Sequence, residues 1–371
     1  MSGVPSVEPI PQGVVSLGDH EMHAAKRLDA NAFAYFSGGA ADEITLRANR
    51  TAWDGIQLFP RVLRNLVGGH TRTALFGRTL AHPILLAPVA FQRMAHRDGE
   101  MATAYAASMQ GAGLILSSQA SVLLEHVARA VLPERQRGPL WFQLYFQHDR
   151  GFTKELVRRA ESAGYEALVV TVDASSSGVR DRERRVGFKL PPDVSAVNLA
   201  GLPAPKPVML NEHQSRMFDA LLATAPTWKD IEWLRGITRL PVILKGIMHP
   251  GDAQLAAQHG ADGVIVSNHG GRTLDTVPAT ATILPRIRAA MGPQFPILAD
   301  GGIRRGTDVF KAIALGADAV LIGRPYVFGL ANAGAMGVSH VVRLLRDELE
   351  IAMALCGCAT LADINADALF S

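Results

Sequence analysis

Polar side chains that could carry acid–base and anion-binding chemistry stand at the ends of a series of short apolar runs. One such residue alone is commonly a satisfied structural group, but a converging set indicates a functional site. The set comprises Ser117, Gln143, Tyr145, Thr171, Asp173, Lys245, Ser267, His269, Arg272, Asp300 and Arg324.

The segment from Val266 to Arg272, Val-Ser-Asn-His-Gly-Gly-Arg, contains the residues best suited to start a reaction. A histidine titrates near neutral pH and can take a proton from a substrate. An arginine three residues later can hold a substrate carboxylate beside it. Gly270 and Gly271 open the backbone between the two side chains. The pattern therefore predicts that His269 is a base and that Arg272 binds an anion.

Two glycine-containing loops predict a phosphate site. One runs Asp-Gly-Gly-Ile-Arg-Arg-Gly from Asp300, and the other is Gly-Arg-Pro from Gly323. Glycines let backbone N–H groups approach an anion, and arginine supplies paired hydrogen bonds. The G-x-x-x-x-G-K-[ST] and G-x-G-x-x-G patterns are absent in suitable contexts, which argues against a nucleoside triphosphate or a Rossmann NAD site.

The elements that must position these residues are eight apolar runs with helical stretches between them. Continuous apolar runs are typical of strands that are buried on both faces of a parallel sheet. Gly99 to Gly111 and Thr307 to Leu315 are two of the helical stretches. Eight strand–helix repeats predict an α/β fold, a (β/α)₈ TIM barrel whose active site lies at the C-terminal ends of the strands. The runs begin at Ile84, Leu114, Leu140, Ala167, Val242, Gly263, Pro296 and Ala319.

The division of the chain follows from these runs. Residues 1–80 precede the barrel and are expected to form an N-terminal helical cap, with a helical pattern around Leu28 to Asn49. Residues 81–371 are expected to form the barrel, within a single domain overall. Much the longest gap between runs follows the fourth strand, and its excess falls in a Pro-rich stretch. A long loop there lies on the catalytic face, so about 190–226 is predicted to be a mobile lid.

Composition excludes several classes of function. The 371 residues are 48% hydrophobic, enough for a large core, and the formal net charge of +3 is no argument for nucleic-acid binding. Cys356 and Cys358 flank a glycine with no histidine cluster nearby, so neither a disulfide nor a metal site is expected. We expect a cytoplasmic protein without a signal peptide or a membrane-spanning segment.

Several of these segments together resemble one known family. The chain is similar, from about Tyr35 to its C-terminus, to the FMN-dependent 2-hydroxy acid oxidising family, which includes glycolate oxidase, lactate oxidase and mandelate dehydrogenase. The motifs are Tyr-Phe-Ser-Gly-Gly-Ala from Tyr35, Leu-Ala-Pro-Val-Ala from Leu86, Met-Ala-His-Arg-Asp-Gly-Glu from Met94, Phe-Gln-Leu-Tyr from Phe142, and the His269 and Asp300 segments. The resemblance implies FMN as cofactor and a homotetramer or larger assembly.

The resemblance also implies roles for the cofactor side of the site. Lys245 would lie at the N1/O2 edge of the flavin, where an ammonium stabilises the negative charge of the reduced ring. The ring would lie against Pro88, Val89 and Ala90, and its polar edge would bond Ser117, Gln143 and Thr171. The ribityl chain would be held by Ser267 and Asp300. The phosphate would be held by the two glycine loops, through Gly301, Gly302, Arg304, Gly323 and Arg324.

On the substrate side, the resemblance implies that Arg180 and Arg272 clamp the carboxylate with help from the Tyr35 hydroxyl. Tyr145 would bond the substrate hydroxyl or the developing oxo group. Asp173 would stabilise the imidazolium of His269. The residues leave open whether His269 removes the proton from the substrate's Cα or from its hydroxyl.

Two departures from glycolate oxidases bear on the substrate. Gln119 stands where those enzymes carry a Trp, and Ser177 replaces a loop Leu near the substrate. Both changes favour a substrate that is larger or more polar than glycolate, and Gln119 becomes a substrate-binding candidate.

The leading interpretation is oxidation of an L-2-hydroxy acid to the 2-oxo acid with O₂ as acceptor, giving H₂O₂. Two alternatives keep the same chemistry: a dehydrogenase that passes electrons to a quinone or another acceptor, and a lactate-monooxygenase-like enzyme. A flavin-dependent barrel isomerase or reductase, or a non-catalytic flavin-binding barrel, need not keep the set of His269, Arg272 and Arg180. The sequence therefore argues against both.

Overall fold

Eight parallel strands close into a barrel in the computed structural model, which describes residues 5–205 and 208–370. The eighth strand pairs with the first, which completes the barrel. The predicted barrel and its eight strands are confirmed. The strands are β1 (Ile84–Leu86), β2 (Gly113–Ser117), β3 (Leu140–Leu144), β4 (Leu168–Thr171), β5 (Val242–Ile247), β6 (Gly263–Val266), β7 (Ile297–Ala299) and β8 (Ala319–Ile322).

Helices surround the barrel and precede it. They are α1 (Leu17–Arg27), α2 (Ala30–Ser37), α3 (Ile44–Gly55), α4 (Gly99–Gln110), α5 (Leu124–Val131), α6 (Arg150–Ala163), α7 (Asp181–Arg185), α8 (Trp228–Ile237), α9 (Pro250–Gln258), α10 (Thr280–Met291), α11 (Gly306–Ala314) and α12 (Arg324–Cys356). α12 is kinked at Ala333 and Gly334. Short 3₁₀ turns cover Gln92–Met94, Val197–Leu199, Leu361–Asp363 and Ala366–Ala368, and a π-helical turn covers Arg216–Leu221. Within the described ranges, no helix has the length and apolar character that a bilayer crossing requires.

The core has two layers because successive side chains of a strand point to opposite faces. In β1, Leu85 points into the barrel, whereas Ile84 and Leu86 pack against the surrounding helices. The interior layer also receives Leu75 and Leu80 from a hairpin, Thr73–Leu75 with Arg78–Leu80. The hairpin adds these two side chains to the interior layer, and the polar site residues lie at or just after the C-terminal ends of the barrel strands.

The N-terminal segment differs from its prediction. The helical pattern expected around Leu28 to Asn49 is two helices, α2 and α3, with a break over residues 38–43. The break lets the Ala40 N–H donate to the Gly271 carbonyl at 2.7 Å, and a Cβ on Gly39 would lie 3.0 Å from that same oxygen. Close approach to the barrel mouth thus interrupts the helix at a Gly-Gly pair. The sequence also did not predict α1, which begins after the Ser16 cap.

The contacts of α3 place the N-terminal segment over the C-terminal ends of β6 and β7. Asn49 and Asn268 exchange two hydrogen bonds of 2.9 Å, and Trp53 Nε1 donates to the Gly301 carbonyl at 2.7 Å. From these contacts we propose that residues 1–80 cap the barrel formed by residues 81–371. Residues 1–4 and 371 lie outside the described residues.

The long loop after β4 is fixed at its start. Asn198 is buried, its carboxamide oxygen accepts from Leu124 N at 2.9 Å, and its amide donates to the Val122 carbonyl at 3.0 Å. Met209 and Phe218, further along, are exposed. We propose that this later part acts as the lid within about 190–226, of which residues 206 and 207 lie outside the described residues.

Candidate active site

A cavity of about 320 Å³ opens at the C-terminal ends of the barrel strands. It brings together all but two of the predicted site residues. Asp173 and Ser267 stand behind the wall and bond residues that line it. The predicted residues on the wall are Tyr35, Pro88, Val89, Ala90, Ser117, Gln119, Gln143, Tyr145, Thr171, Arg180, Lys245, His269, Arg272, Asp300, Gly301, Gly302, Arg304, Gly323 and Arg324.

His269 is held in a left-handed backbone conformation, with φ of 56°, directly after β6. Such strain in a non-glycine residue is typical of functional sites. Its Nδ1 lies 2.9 Å from Asp173 Oδ1. Because the ionised carboxylate accepts, Nδ1 carries the proton and Nε2 keeps a lone pair for the cavity.

The electrostatics of this pair suit a base. Burial lowers the pKa of His269 below its ordinary value, and Asp173 opposes that shift only in part, so the imidazole is neutral at neutral pH. Burial disfavours the charge on Asp173, but His269 and Lys245 outweigh it and hold the pKa of that carboxyl below its ordinary value. A neutral histidine backed by a carboxylate can accept a proton and be stabilised once it is charged.

A bulge in β5 makes room for Asp173. The register between β5 and β6 shifts between Lys245 and Ile247, and Gly246 has φ of 109°. A Cβ on Gly246 would lie 2.5 Å from the Asp173 Cβ. Glycine at this position therefore lets Asp173 stand behind the histidine while Lys245 points into the cavity.

Lys245 is a buried, paired ammonium. Its Nζ donates to Ser267 Oγ at 2.8 Å and lies 3.0 Å from Asp300 Oδ2. Burial disfavours the charge, but Asp300 and Asp173 raise the pKa of Lys245 above its ordinary value, so the ammonium persists. Ser267 Oγ also accepts from the His269 N–H at 3.1 Å, so the hydroxyl links the Lys245 ammonium to the backbone of His269.

Gln143 joins the ends of three neighbouring strands. Its side-chain oxygen accepts from Ser118 N at 3.1 Å and from Ser117 Oγ at 3.3 Å, and its Nε2 donates to Thr171 Oγ1 at 3.1 Å. All four residues are buried. The three residues expected at the polar edge of the flavin are thus a single connected polar row.

Two arginines line the same cavity as His269. Arg272 Nη1 donates to the carbonyls of Tyr35 (2.6 Å) and Gly38 (2.9 Å), and its guanidinium carbon lies 5.1 Å from the centre of the Tyr35 ring. Arg180 Nε donates to the Arg272 carbonyl at 2.9 Å. These contacts fix both guanidinium planes and leave further N–H groups for a carboxylate.

The two tyrosines on the substrate side remain protonated donors. Burial raises the pKa of Tyr145 and of Tyr35 above the ordinary value. Either hydroxyl can therefore donate to a substrate oxygen at neutral pH.

Arg324 and Arg304 stand at the predicted phosphate site, and neither guanidinium donates a hydrogen bond to an acid among the described residues. Arg324 donates to the Gly270 and Gly38 carbonyls, each at 2.8 Å. Arg304 lies 3.9 Å from the carboxylate of Glu21. A Cβ on Gly302 would lie 2.6 Å from the Asn49 carbonyl oxygen, so glycine is required where α3 meets this loop.

The buried polar atoms of the cavity fit the FMN that the resemblance implies. Among the described residues, Arg324 Nε and Asp300 Oδ1 are buried without a hydrogen-bond partner. A guanidinium N–H suits a phosphate, and a carboxylate oxygen suits a ribityl hydroxyl. No group of histidine, cysteine and acidic side chains that could hold a metal occurs in the described part of the chain.

A buried polar network supports the loop expected to face the flavin. Tyr326 donates to the Ala87 carbonyl at 2.8 Å, and Gln92 Nε2 donates to the Val89 carbonyl at 3.2 Å. Thr103 in turn donates to the Gln92 side-chain oxygen at 2.6 Å. Sequence reasoning missed this network because its members lie on separate elements.

Glu183 is the other omission, and it touches both arginines of the substrate side. Its sequence context, Arg-Asp-Arg-Glu-Arg-Arg, suggests a solvated helix surface. The one available signal was its spacing of three residues from Arg180, which places both on one side of a helical turn. Ser177 and Gln119 do line the cavity, as the sequence departures suggested.

The chain is similar to known proteins over nearly its whole length. Residues 24–371 match the family described as FMN-dependent dehydrogenase. An L-lactate oxidase of Alicycliphilus denitrificans is 48% identical over 360 residues, which cover 97% of this chain and 97% of that protein. Glycolate oxidase 1 of Zea mays is 43% identical, covering 95% of this chain and 94% of that protein. The crystal structure of mandelate oxidase with (S)-2-phenylpropionate superposes with a TM-score of 0.85 at 42% identity, covering 96% of this chain and 98% of that chain.

Proposed function

The chain belongs to the FMN-dependent dehydrogenase family, and we propose that it oxidises L-lactate or a close homologue to the 2-oxo acid, with O₂ as acceptor and release of H₂O₂. Oxidation of a 2-hydroxy acid with FMN follows from the family and from relatives named L-lactate oxidase and glycolate oxidase. The observation that carries the mechanism is that His269, which Asp173 backs from behind the wall, shares one cavity with Arg180 and Arg272.

The substrate proposal rests on the wall of the cavity. Gln119 and Ser177 give it a roomier and more polar lining than a Trp and a Leu would, so a side chain larger than the hydrogen of glycolate can be held. Relatives named L-lactate oxidase are 46–50% identical to this chain, against 42–43% for those named glycolate oxidase. Both observations favour L-lactate over glycolate.

We assign the binding steps to the substrate-side residues. Arg180 and Arg272 hold the carboxylate, and the Tyr35 hydroxyl donates to it. Tyr145 donates to the substrate's 2-oxygen. Because the guanidinium planes are already fixed by backbone carbonyls, little ordering is left to binding.

We assign the proton step to His269. Its Nε2 accepts a proton from the substrate, and Asp173 stabilises the imidazolium that results. Bound FMN would take the two electrons, and the groups that would hold it are Lys245, the Gln143 row, the loop from Pro88 to Ala90, and the two glycine loops. The ammonium of Lys245 offers a fixed positive charge to a reduced flavin.

The test is steady-state and anaerobic kinetics on the purified yellow enzyme. We expect kcat/KM to be higher for L-lactate than for glycolate or mandelate, with one peroxide formed per pyruvate in air. A preference for glycolate would contradict the substrate proposal. Pyruvate without peroxide, or acetate in place of pyruvate, would contradict the oxidase proposal and favour another acceptor or a monooxygenase.

We further propose a homotetramer or larger in the cytoplasm. The free, buried Cys356 and Cys358 are consistent with a reducing compartment. Light scattering of the purified holoenzyme measures the assembly, and a monomeric mass would contradict it.

A further inference from the structure

Glu183 places a carboxylate in the substrate cavity itself. It lies in α7, three residues after Arg180, and its side chain is 16% exposed. Its Oε1 is 3.0 Å from Arg180 Nη1 and 3.5 Å from Arg272 Nη2. One acid thus bridges the two cations to which we assign the substrate carboxylate.

The balance of charge around the substrate follows from this contact. The two arginines carry two positive charges, and ionised Glu183 removes one, which leaves a net charge that a single carboxylate neutralises. Among the described wall residues, the other carboxylate is Asp300, and it is paired with Lys245 at 3.0 Å. Glu183 is therefore the acid that a second negative charge on a substrate would meet.

The arginines keep donors for one carboxylate beyond Glu183. Arg180 uses Nε and Nη1 on the Arg272 carbonyl and on Glu183, and Arg272 uses Nη1 on two carbonyls. Arg180 Nη2 and Arg272 Nε make no hydrogen bond within the described part of the chain, so they are open to a ligand. In a largely buried site, charge that is left unneutralised is costly.

We propose that Glu183 is a specificity-determining residue: it restricts the site to monocarboxylic 2-hydroxy acids and excludes dicarboxylic ones such as L-malate. The inference rests on the proposed function, because it takes Arg180 and Arg272 to be the carboxylate site. Two like charges confined within one cavity repel each other enough to separate the two classes of substrate by about tenfold or more in kcat/KM.

The alternative role for Glu183 is a brace that only holds the two arginines in place. A brace affects kcat/KM for all 2-hydroxy acids alike. A residue whose charge repels a second carboxylate, which we call a charge filter, changes the ratio of kcat/KM between dicarboxylates and monocarboxylates. Glu183→Gln keeps the shape and removes the charge, and Glu183→Asp keeps the charge. Glu43→Gln is the matched control, since it removes an acid from a neighbouring ion pair, with Arg182 at 2.7 Å, that does not line the cavity.

The experiment measures kcat/KM for L-malate and L-lactate with the holoenzyme and each variant. The charge filter predicts a malate-to-lactate ratio of about 0.1 or less in the wild type, a rise of at least about tenfold in E183Q, and no rise in E183D or E43Q. A wild type that uses malate as well as lactate overturns the inference. So does an E183Q enzyme that loses activity on both acids with the ratio unchanged, because that is the result of a brace.

Binding of unreactive analogues gives a second measurement that needs no turnover. Propionate and succinate lack the 2-hydroxyl, and their binding is followed by the change in the flavin's visible spectrum. Succinate should gain affinity relative to propionate by about tenfold in E183Q, and an unchanged ratio overturns the inference. If E183Q does not retain flavin, the same ratios are measured with Glu183→Ala, and the wild-type malate-to-lactate ratio still tests the inference. Failure of the wild type to oxidise lactate would instead count against the proposed function.

Discussion

Replacing Asp173 with Asn removes one negative charge from behind the base and changes little else. The carboxylate lies 2.9 Å from His269 Nδ1, and its second oxygen has no partner among the described residues. The amide oxygen of Asn can still accept from Nδ1–H. The variant therefore isolates the charge of Asp173 from its geometry.

The size of the effect follows from the charged state of the histidine. His269 is neutral before it accepts a proton and positive afterwards, so Asp173 stabilises the product of the proton step more than the resting site. Unit charges about 4 Å apart interact by about 4 kcal/mol at an effective dielectric constant near 20. Because each 1.36 kcal/mol is tenfold in rate, kcat should fall by about 10³-fold in D173N. KM should change little, since Asp173 does not line the cavity.

The pH profile of the same variant gives an independent check. Burial lowers the pKa of His269 and Asp173 raises it, so removing the carboxylate lowers that pKa further. Activity requires the neutral base, and it is lost as the pH falls through the pKa of His269. The acid limb of kcat/KM should therefore move to lower pH in D173N.

Stopped-flow anaerobic reduction by L-lactate measures the step directly, with flavin content as the control for folding. A D173N enzyme that is reduced within about threefold of the wild-type rate would refute the electrostatic reasoning. An acid limb that moves to higher pH would refute the assigned direction of the coupling.

Two further substitutions test how the backbone and the phosphate site are built. Gly246→Ala should lower both the midpoint of thermal unfolding and kcat, the latter by at least about tenfold, because the new Cβ would meet Asp173 at 2.5 Å on backbone with φ of 109°. Gly236→Ala is its control, with nothing within 4 Å of a Cβ, and equal effects of the two changes would contradict the role of the bulge. Arg324→Lys should weaken FMN binding about 10- to 100-fold, because the single nitrogen of lysine cannot span the two carbonyls that Nη1 and Nη2 bond and also reach a phosphate as Nε can. Titration of the apoprotein by flavin fluorescence measures this, and unchanged affinity would contradict the assignment of Arg324 to the phosphate.

Local pattern was enough to predict the barrel. A strand that is buried on both faces must be largely apolar, so β6 and β8 stand out as continuous runs in the sequence. The polar residue after each run then falls at the same end of the barrel, whatever the helices between them do. This is why the order of residues along the chain is sufficient to assign His269 and Lys245 to one site.

The features that the sequence did not predict depend on contacts between distant segments. The break between α2 and α3 follows from the hydrogen bond between Ala40 and Gly271, 231 positions apart in the chain. Glu183 has the composition of a surface helix and becomes a site residue only because α7 packs against Arg272. Neither contact leaves a periodic signature in the sequence.

The central claim is that His269 is the base, and His269→Gln tests it most directly. The variant keeps a polar side chain of similar length but cannot accept a proton from the substrate. We expect a yellow protein that retains FMN and whose anaerobic reduction by L-lactate is slowed by about 10²–10⁴-fold. A His269→Gln enzyme that is reduced at the wild-type rate would contradict the claim.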